Sequence, residues 1–385
     1  MAEGAGLENR YTCKGIVGSN PTLSAVFLLN APDRRLVLHH KNSLAAPYGD
    51  MPLGLRPLAS ALTGCLLGQA LGDALGFVVE ARPADVARRY VDQYLRPGRA
   101  GELSHPDFPF GQYSDDTQLA RELLLSLVDA AGWNPEAFAR RLSSLFQQGE
   151  DVGAGPGTRA AAARLSAGTH WSLAGTPAPY AGNGSAMRVV PLGLVFGDTR
   201  PRVTAAIEQS LVTHLDPRCA AGAVAVAHAV ALAARADSLD RAAFLSEVAA
   251  LAGAQEHSVG SAIAGLAAWA HLPPDEAVRW LHAEGLDPTY ADQWQGISAF
   301  VIPSVVWSLY SFLRNPDDYW SVVCTAIGAG GDTDTMAAIS GGIAGARLGP
   351  SALPVELVEQ LNDRGRWRAA QLTELAERVA AMSTR

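Results

Sequence analysis

Gly64-Cys65-Leu66-Leu67-Gly68-Gln69-Ala70-Leu71-Gly72-Asp73-Ala74-Leu75-Gly76 sets four glycines four residues apart in an otherwise apolar run. At 3.6 residues per turn that spacing keeps them on one helical face, and a face without side chains lets a second backbone come very close. A further small-residue segment, residues 337–349 with Gly341, Gly342 and Gly345, reads the same way. Closely packed helices are the first expectation. Tight packing explains the glycines but not Asp73, an acid inside an apolar helix. Glu80 stands seven residues beyond Asp73, after Phe77-Val78-Val79, a segment that could act as a lid.

Outward from this run the chain reads as helix almost throughout. Apolar residues recur at spacings of three and four over residues 119–128, 135–146, 201–211, 241–251, 275–282, 354–361 and 367–382. Pro135, Pro201 and Pro354 fall where a helix should begin, the position at which proline costs least. Alternating β-branched runs bounded by turns are nearly absent, and no fixed-period repeat is visible. The expected architecture is one compact all-α domain over residues 57–385. Residues 1–56 lack sustained periodicity and are read as a poorly structured extension without assigned function. Within them, residues 15–25 resemble what appears when a transfer-RNA gene is translated; a real but loosely packed arm is the alternative.

Composition narrows the function. Hydrophobic residues make up 48% of the 385 and charged residues 18%, so a sizeable core can be buried. A net charge of −8 argues against a nucleic-acid backbone as partner, which needs a basic footprint. Cys13, Cys65, Cys219 and Cys324 form no Cys-x-x-Cys pair, which fits neither a zinc site nor a disulfide framework. The start, Met1-Ala2-Glu3-Gly4, has neither a basic nor an apolar signal region, so a cytoplasmic protein is expected. Residues 220–234, mostly Ala and Val but interrupted by His228, read as a buried helix rather than a membrane span.

Two acidic segments carry the chemistry: Ser114-Asp115-Asp116-Thr117 and Gly330-Gly331-Asp332-Thr333-Asp334-Thr335. Each crowds two carboxylates and at least one hydroxyl into four residues with almost no base nearby. Either alone reads as a helix N-terminus, with Ser114 as N-cap and acids favoured by the dipole. Face to face they would supply four carboxylates and several hydroxyls, the oxygens that hard divalent cations prefer. A third segment, Gly182-Asn183-Gly184-Ser185-Ala186-Met187-Arg188, offers backbone N–H groups ahead of a helix, an arrangement suited to a phosphate. Thr213-His214 precedes another helix.

Together these segments, in this order, resemble the ADP-ribosylglycohydrolases, which include the dinitrogenase reductase-activating glycohydrolase and the ADP-ribosyl-acceptor hydrolases. The resemblance covers roughly residues 58–372. Each motif has moderate specificity, and all five in order are highly specific. The resemblance implies an all-α fold with a binuclear Mg²⁺ or Mn²⁺ centre in a cleft, and an ADP-ribosylated protein or small molecule as substrate. By matching positions, Ser114, Asp115, Asp116, Asp332, Asp334 and Thr335 look like the metal shell. Glu80 looks like the acid on the mobile loop beside the reacting ribose. Gly184 and Ser185 look like phosphate contacts, with Asn183 close by, and His214 like a contact to the ADP-ribose portion.

Removing ADP-ribose breaks a bond at the anomeric carbon of the distal ribose through an oxocarbenium-like transition state. A carboxylate must take a proton from water or assist the leaving group; Glu80 is the first candidate and Asp116 the second. Two other readings compete. A two-metal nucleotide phosphoester hydrolase would use the same carboxylates but attack phosphorus. A non-catalytic ADP-ribose-binding or structural homologue would have no need of Glu80 and an intact metal set. A monomer without membrane or nucleic-acid partners is expected.

Overall fold

The computed structural model describes residues 58–235, 237–283 and 294–383. The extension expected over residues 1–56 lies outside the described residues. Eighteen α-helices are present among the described residues, and β-pairing there is limited to isolated bridges. In chain order they begin with α1 (Leu58–Phe77), α2 (Ala84–Tyr90), α3 (Asp115–Ala130), α4 (Pro135–Gln147), α5 (Pro156–Ser166) and α6 (Trp171–Ala174). Then come α7 (Gly184–Arg188), α8 (Leu192–Val195), α9 (Thr199–Leu211), α10 (Pro217–Arg235), α11 (Arg241–Gly253), α12 (His257–Trp269) and α13 (Pro274–Ala283). The last are α14 (Val301–Arg314), α15 (Tyr319–Ile327), α16 (Thr333–Leu348), α17 (Val355–Val358) and α18 (Ala369–Ser383).

The centre of the fold is an antiparallel seam between α1 and α16. A methyl group added at Gly68 would lie 2.6 Å from the Gly341 carbonyl oxygen. Methyls at Gly64, Gly72 and Gly76 would run into the backbone of Gly345, Ala337 and Thr333 in turn. All four glycines therefore face one helix, and the small residues of residues 337–349 are their counterpart. Two hydroxyls lock the register: Tyr319 Oη donates to the Gly68 carbonyl and Thr333 Oγ1 to the Gly76 carbonyl, both at 2.8 Å. The direction of the seam has a functional consequence. It sets the C-terminal end of α1, and the Glu80 turn beyond it, against the N-terminal end of α16, where the second acidic segment sits.

The helix α10, built on residues 220–234, is long and apolar enough to cross a membrane, as is α1, yet both are mostly buried within the protein. Proline begins α4, with Asn134 as a side-chain cap, whereas Pro201 is the third residue of α9, still in the turn whose amides lack partners. Two expected helices are shorter than their periodicity implied. The segment 354–361 forms a single turn, α17. The segment 367–382 starts two residues late at Ala369, because Arg364, Gly365 and Trp367 take positive φ. That turn is set by tertiary bonds. Asp363 accepts from Gln118 Nε2 at 2.9 Å and Arg121 Nη1 at 2.7 Å, and the Trp367 carbonyl accepts from Tyr113 Oη at 2.9 Å.

Candidate active site

Glu80 follows α1 in a tight turn stitched to the second acidic segment. The Ala81 amide donates to the Gly331 carbonyl and the Gly331 amide to the Arg82 carbonyl, each at 2.8 Å. Gly330 and Gly331 have φ of 70° and 85°, and a side chain on either would collide with the backbone of Ala84 or Ile297. Asp332 leaves this turn with its amide bonded to the Ile297 carbonyl at 2.8 Å. Glu80, Asp332 and Asp334 thereby bring three carboxylate oxygens within 4.8 Å of one another. Asp332 and Asp334 are buried and Glu80 half-buried.

The first acidic segment closes on the same place from α3. Ser114 caps α3, its Oγ accepting from the Asp116 amide at 3.3 Å. The Ser114 hydroxyl is 3.1 Å from Asp116 Oδ2, which also receives the Thr335 hydroxyl at 3.3 Å. That last bond joins the two segments across 219 residues of sequence. Asp116 Oδ1 is buried without a hydrogen-bond partner. Asp115 is buried beside it, its amide donating to the Val152 carbonyl at 2.7 Å, and a methyl on Gly153 would lie 3.5 Å from its Oδ1.

So many acids in one buried place cannot all be charged without a cation. Burial and the charges of Asp332 and Asp73 push the Glu80 carboxyl up to about 8. Burial, then Asp73, raises Asp115 and Asp116 well above the usual range; burial, then Glu80, does the same for Asp334, and burial raises Asp332. The donor set is all oxygen: carboxylates with the hydroxyls of Ser114 and Thr335. Together with the orphaned Asp116 Oδ1, this composition fits a hard divalent cation.

The glycine-rich segment stands on the other side. Asn183 is the residue before α7, and its side-chain amide donates to Asp332 Oδ2 and, at 3.0 Å, to Ser304 Oγ. It holds an acid in place, and its nitrogen is fully used. The Ser185 hydroxyl is likewise engaged, donating to the Cys219 carbonyl at 3.1 Å. The Ala186 and Met187 amides close on the Asn183 carbonyl, so the Gly184 and Ser185 amides precede the first helical bond. His214 packs on this turn. Methyls on Gly182 and Gly184 would lie 3.2 Å from its Nε2 and 3.1 Å from its Cε1, and the Tyr180 ring stacks over it at 6.0 Å.

The ADP-ribosylglycohydrolase family model matches residues 56–385. The chain belongs to the ADP-ribosylglycohydrolase family. Among its relatives, an uncharacterized protein of Archaeoglobus fulgidus is 32% identical over 83% of this chain and 98% of that protein. ADP-ribosylhydrolase ARH3 of Bos taurus is 28% identical over 77% of this chain and 87% of its own length. ADP-ribosyl-[dinitrogen reductase] glycohydrolase of Rhodospirillum rubrum is 26% identical over 78% and 89%. The solved structure of an ADP-ribosylglycohydrolase-related protein complex superposes with a TM-score of 0.64 at 25% identity, covering 86% of this chain and all of that one.

In this member of the family, three residues outside the expected site hold it together. Asp73 is buried, and its carboxylate accepts from the Ser114 amide at 2.8 Å, the Thr117 amide at 3.0 Å and the Thr117 hydroxyl at 2.6 Å. It caps α3 from another helix, and burial still pushes its carboxyl up to about 6 against those bonds. Gln69, one turn earlier on α1, donates to the Asp116 and Met187 carbonyls at 3.1 and 3.0 Å. Asp363 reaches the site indirectly: it holds Gln118, whose Oε1 takes the Val152 amide at 2.9 Å. A polar residue inside an apolar helix signals the first two. Asp363 carries no local signal.

Proposed function

We propose that this protein is a metal-dependent hydrolase that removes ADP-ribose from a modified acceptor by cleaving the glycosidic bond at C1'' of the distal ribose. The observation that carries the proposal is the meeting of Glu80, Asp332 and Asp334 with Asp116 and Thr335, in a chain of this family. Ser114, Asp115, Asp116, Asp332, Asp334 and Thr335 would hold two divalent ions, Mg²⁺ or Mn²⁺. When bound, such ions polarise and orient ribose hydroxyls and water. The names of relatives that act on ADP-ribosyl groups, ADP-ribosylhydrolase ARH3 among them, support the substrate class.

The chain's own groups then do the rest. Glu80, half-buried at the edge of the acidic group, with its carboxyl pushed up to about 8 by burial and the charges of Asp332 and Asp73, is suited to exchange a proton with water or the leaving group at its carboxyl oxygen. Asp116 is the second candidate. Negative charge around the reacting ribose favours an anomeric carbon that becomes positive. The Gly184 and Ser185 amides, at the start of α7, suit the diphosphate, so an acidic protein can still take an anionic ligand. Asn183 serves by holding Asp332.

The test is product analysis on defined ADP-ribosyl-arginine, ADP-ribosyl-serine and a generic phosphodiester, with and without chelator. Free ADP-ribose released only in the presence of divalent metal is expected. Cleavage at phosphorus, or a rate unchanged by chelator, would refute the proposal.

A further inference from the structure

His214 sits at the end of a chain of buried polar groups whose proton positions can be counted. Arg188 is wholly buried, and its Nη2 donates to the Thr213 hydroxyl at 2.8 Å and to the Gln209 carbonyl at 2.6 Å; Nε donates to Gln209 Oε1 at 2.7 Å. The Thr213 hydroxyl, also buried, lies 2.8 Å from His214 Nδ1. A guanidinium only donates, so Thr213 Oγ1 accepts from it. If Thr213 gives its one proton to Nδ1, the Thr213 hydroxyl and Nδ1 are both paired, and Arg188 Nη1 alone in this chain is left without a partner. If Nδ1 carried a proton instead, the Thr213 hydroxyl hydrogen would be buried without an acceptor, which costs free energy.

We infer that Thr213 and Arg188 are positioning residues that fix His214 as a neutral imidazole with its proton on Nε2, presented as a single hydrogen-bond donor at the Gly182–Gly184 turn. No described residue accepts from Nε2. The Nε2 edge faces the turn where the Gly184 and Ser185 amides also begin α7. The ligand group it serves must be an acceptor, a phosphate or hydroxyl oxygen. Burial and the nearby Arg188 charge pull the imidazole down to about 3, in keeping with a neutral ring. A ligand oxygen here meets a neutral donor, and the charge of Arg188 stays one hydroxyl behind it.

This inference rests on ADP-ribose being the ligand of the cleft, and the experiment separates the two. Long-range ¹H–¹⁵N spectra of the full chain should show His214 with protonated Nε2 and bare Nδ1. Calorimetric titration of ADP-ribose, with Mg²⁺ present, should find Thr213→Val weaker by about tenfold, the size of one hydrogen bond. Thr213→Ser should restore both binding and tautomer, and metal affinity should be the same in all three proteins. An Nδ1–H imidazole in the wild type, or unchanged ADP-ribose affinity in Thr213→Val with a redistributed tautomer, would overturn the inference. A wild type with the Nε2–H ring but no affinity for ADP-ribose would refute the reading of the cleft and uphold the tautomer.

Discussion

The glycine seam makes a prediction in which fold and function separate along a single helix. Gly64 and Gly76 lie at opposite ends of the stripe, about 18 Å apart at 1.5 Å per residue. An alanine methyl at Gly64 would meet Gly349 at 2.7 and 2.8 Å, besides the Gly345 carbonyl. At Gly76 it would lie 2.6 Å from both the amide nitrogen and the Cα of Asp334, besides the Thr333 carbonyl. Against an ordinary contact near 3.4 Å these overlaps are roughly 0.6–0.8 Å, and backbone cannot turn aside as a rotamer can. Overpacking of this kind costs about 1–3 kcal/mol, offset by up to ~1 kcal/mol of better helix propensity. Both alanine variants should therefore lose similar, modest stability in denaturant melts. Their catalysis should differ. Gly76→Ala pushes directly on Asp334, and a displacement of ~1 Å at a reacting centre can cost about 10²-fold. Gly64→Ala pushes on the far end of α16. Turnover of the accepted ADP-ribosyl substrate and calorimetric titration of Mg²⁺ or Mn²⁺ measure the difference. Equal loss of activity in both variants at equal stability would refute the idea that the seam sets the site's geometry from one end. So would a Gly76→Ala protein with wild-type metal affinity.

Glu80→Gln keeps size and removes the base, so kcat should fall by about 10²–10⁴-fold with ADP-ribose affinity near wild type; if metal and ADP-ribose affinity fell together with rate, Glu80 would be a ligand. Asp116→Asn or Asp334→Asn should lower metal occupancy while leaving the protein folded, and the metal-free variants should melt no lower than metal-free wild type, since one repelling charge is gone. The same crowding sets a pH trend. Glu80 goes from an ordinary 4.5 to about 8 in the folded protein, so the native state holds a proton that the unfolded chain gives up. Metal-free stability should decline as pH rises across that window, and saturating divalent metal should flatten the decline; a flat apo profile would contradict it. A chain beginning at Met51 should express, bind metal and turn over like the full chain, and a large drop in melting temperature or activity would show that the extension contributes to the core.

Local periodicity was enough to read the class of fold. Spacings of three and four with few β-branched runs predict helices, and the helices α3, α4, α9, α11 and α13 fall where the apolar residues recur. Failure came where local preference met tertiary demand. Residues 354–361 carry a helical pattern, but only one turn forms before Asn362 and Asp363 turn inward to Gln112, Gln118 and Arg121. The pattern near Trp367 is interrupted for the same reason.

The sequence by itself determined the helical class, the close approach promised by Gly64, Gly68, Gly72 and Gly76, and the two oxygen-rich segments that repel unless something positive joins them. Those properties belong to residues near one another in the chain. Only the tertiary structure decided that the glycine stripe meets α16, that the pair runs antiparallel, and that Glu80 consequently stands beside Asp332 and Asp334. It also assigned the tasks of Asp73 and Gln69 and joined the Asn183 amide to Asp332. The physical reason is common to all of these: periodicity shows which face of a helix will be buried, while the choice of partner is set by packing and hydrogen bonds between residues up to hundreds of positions apart, such as Thr335 and Asp116.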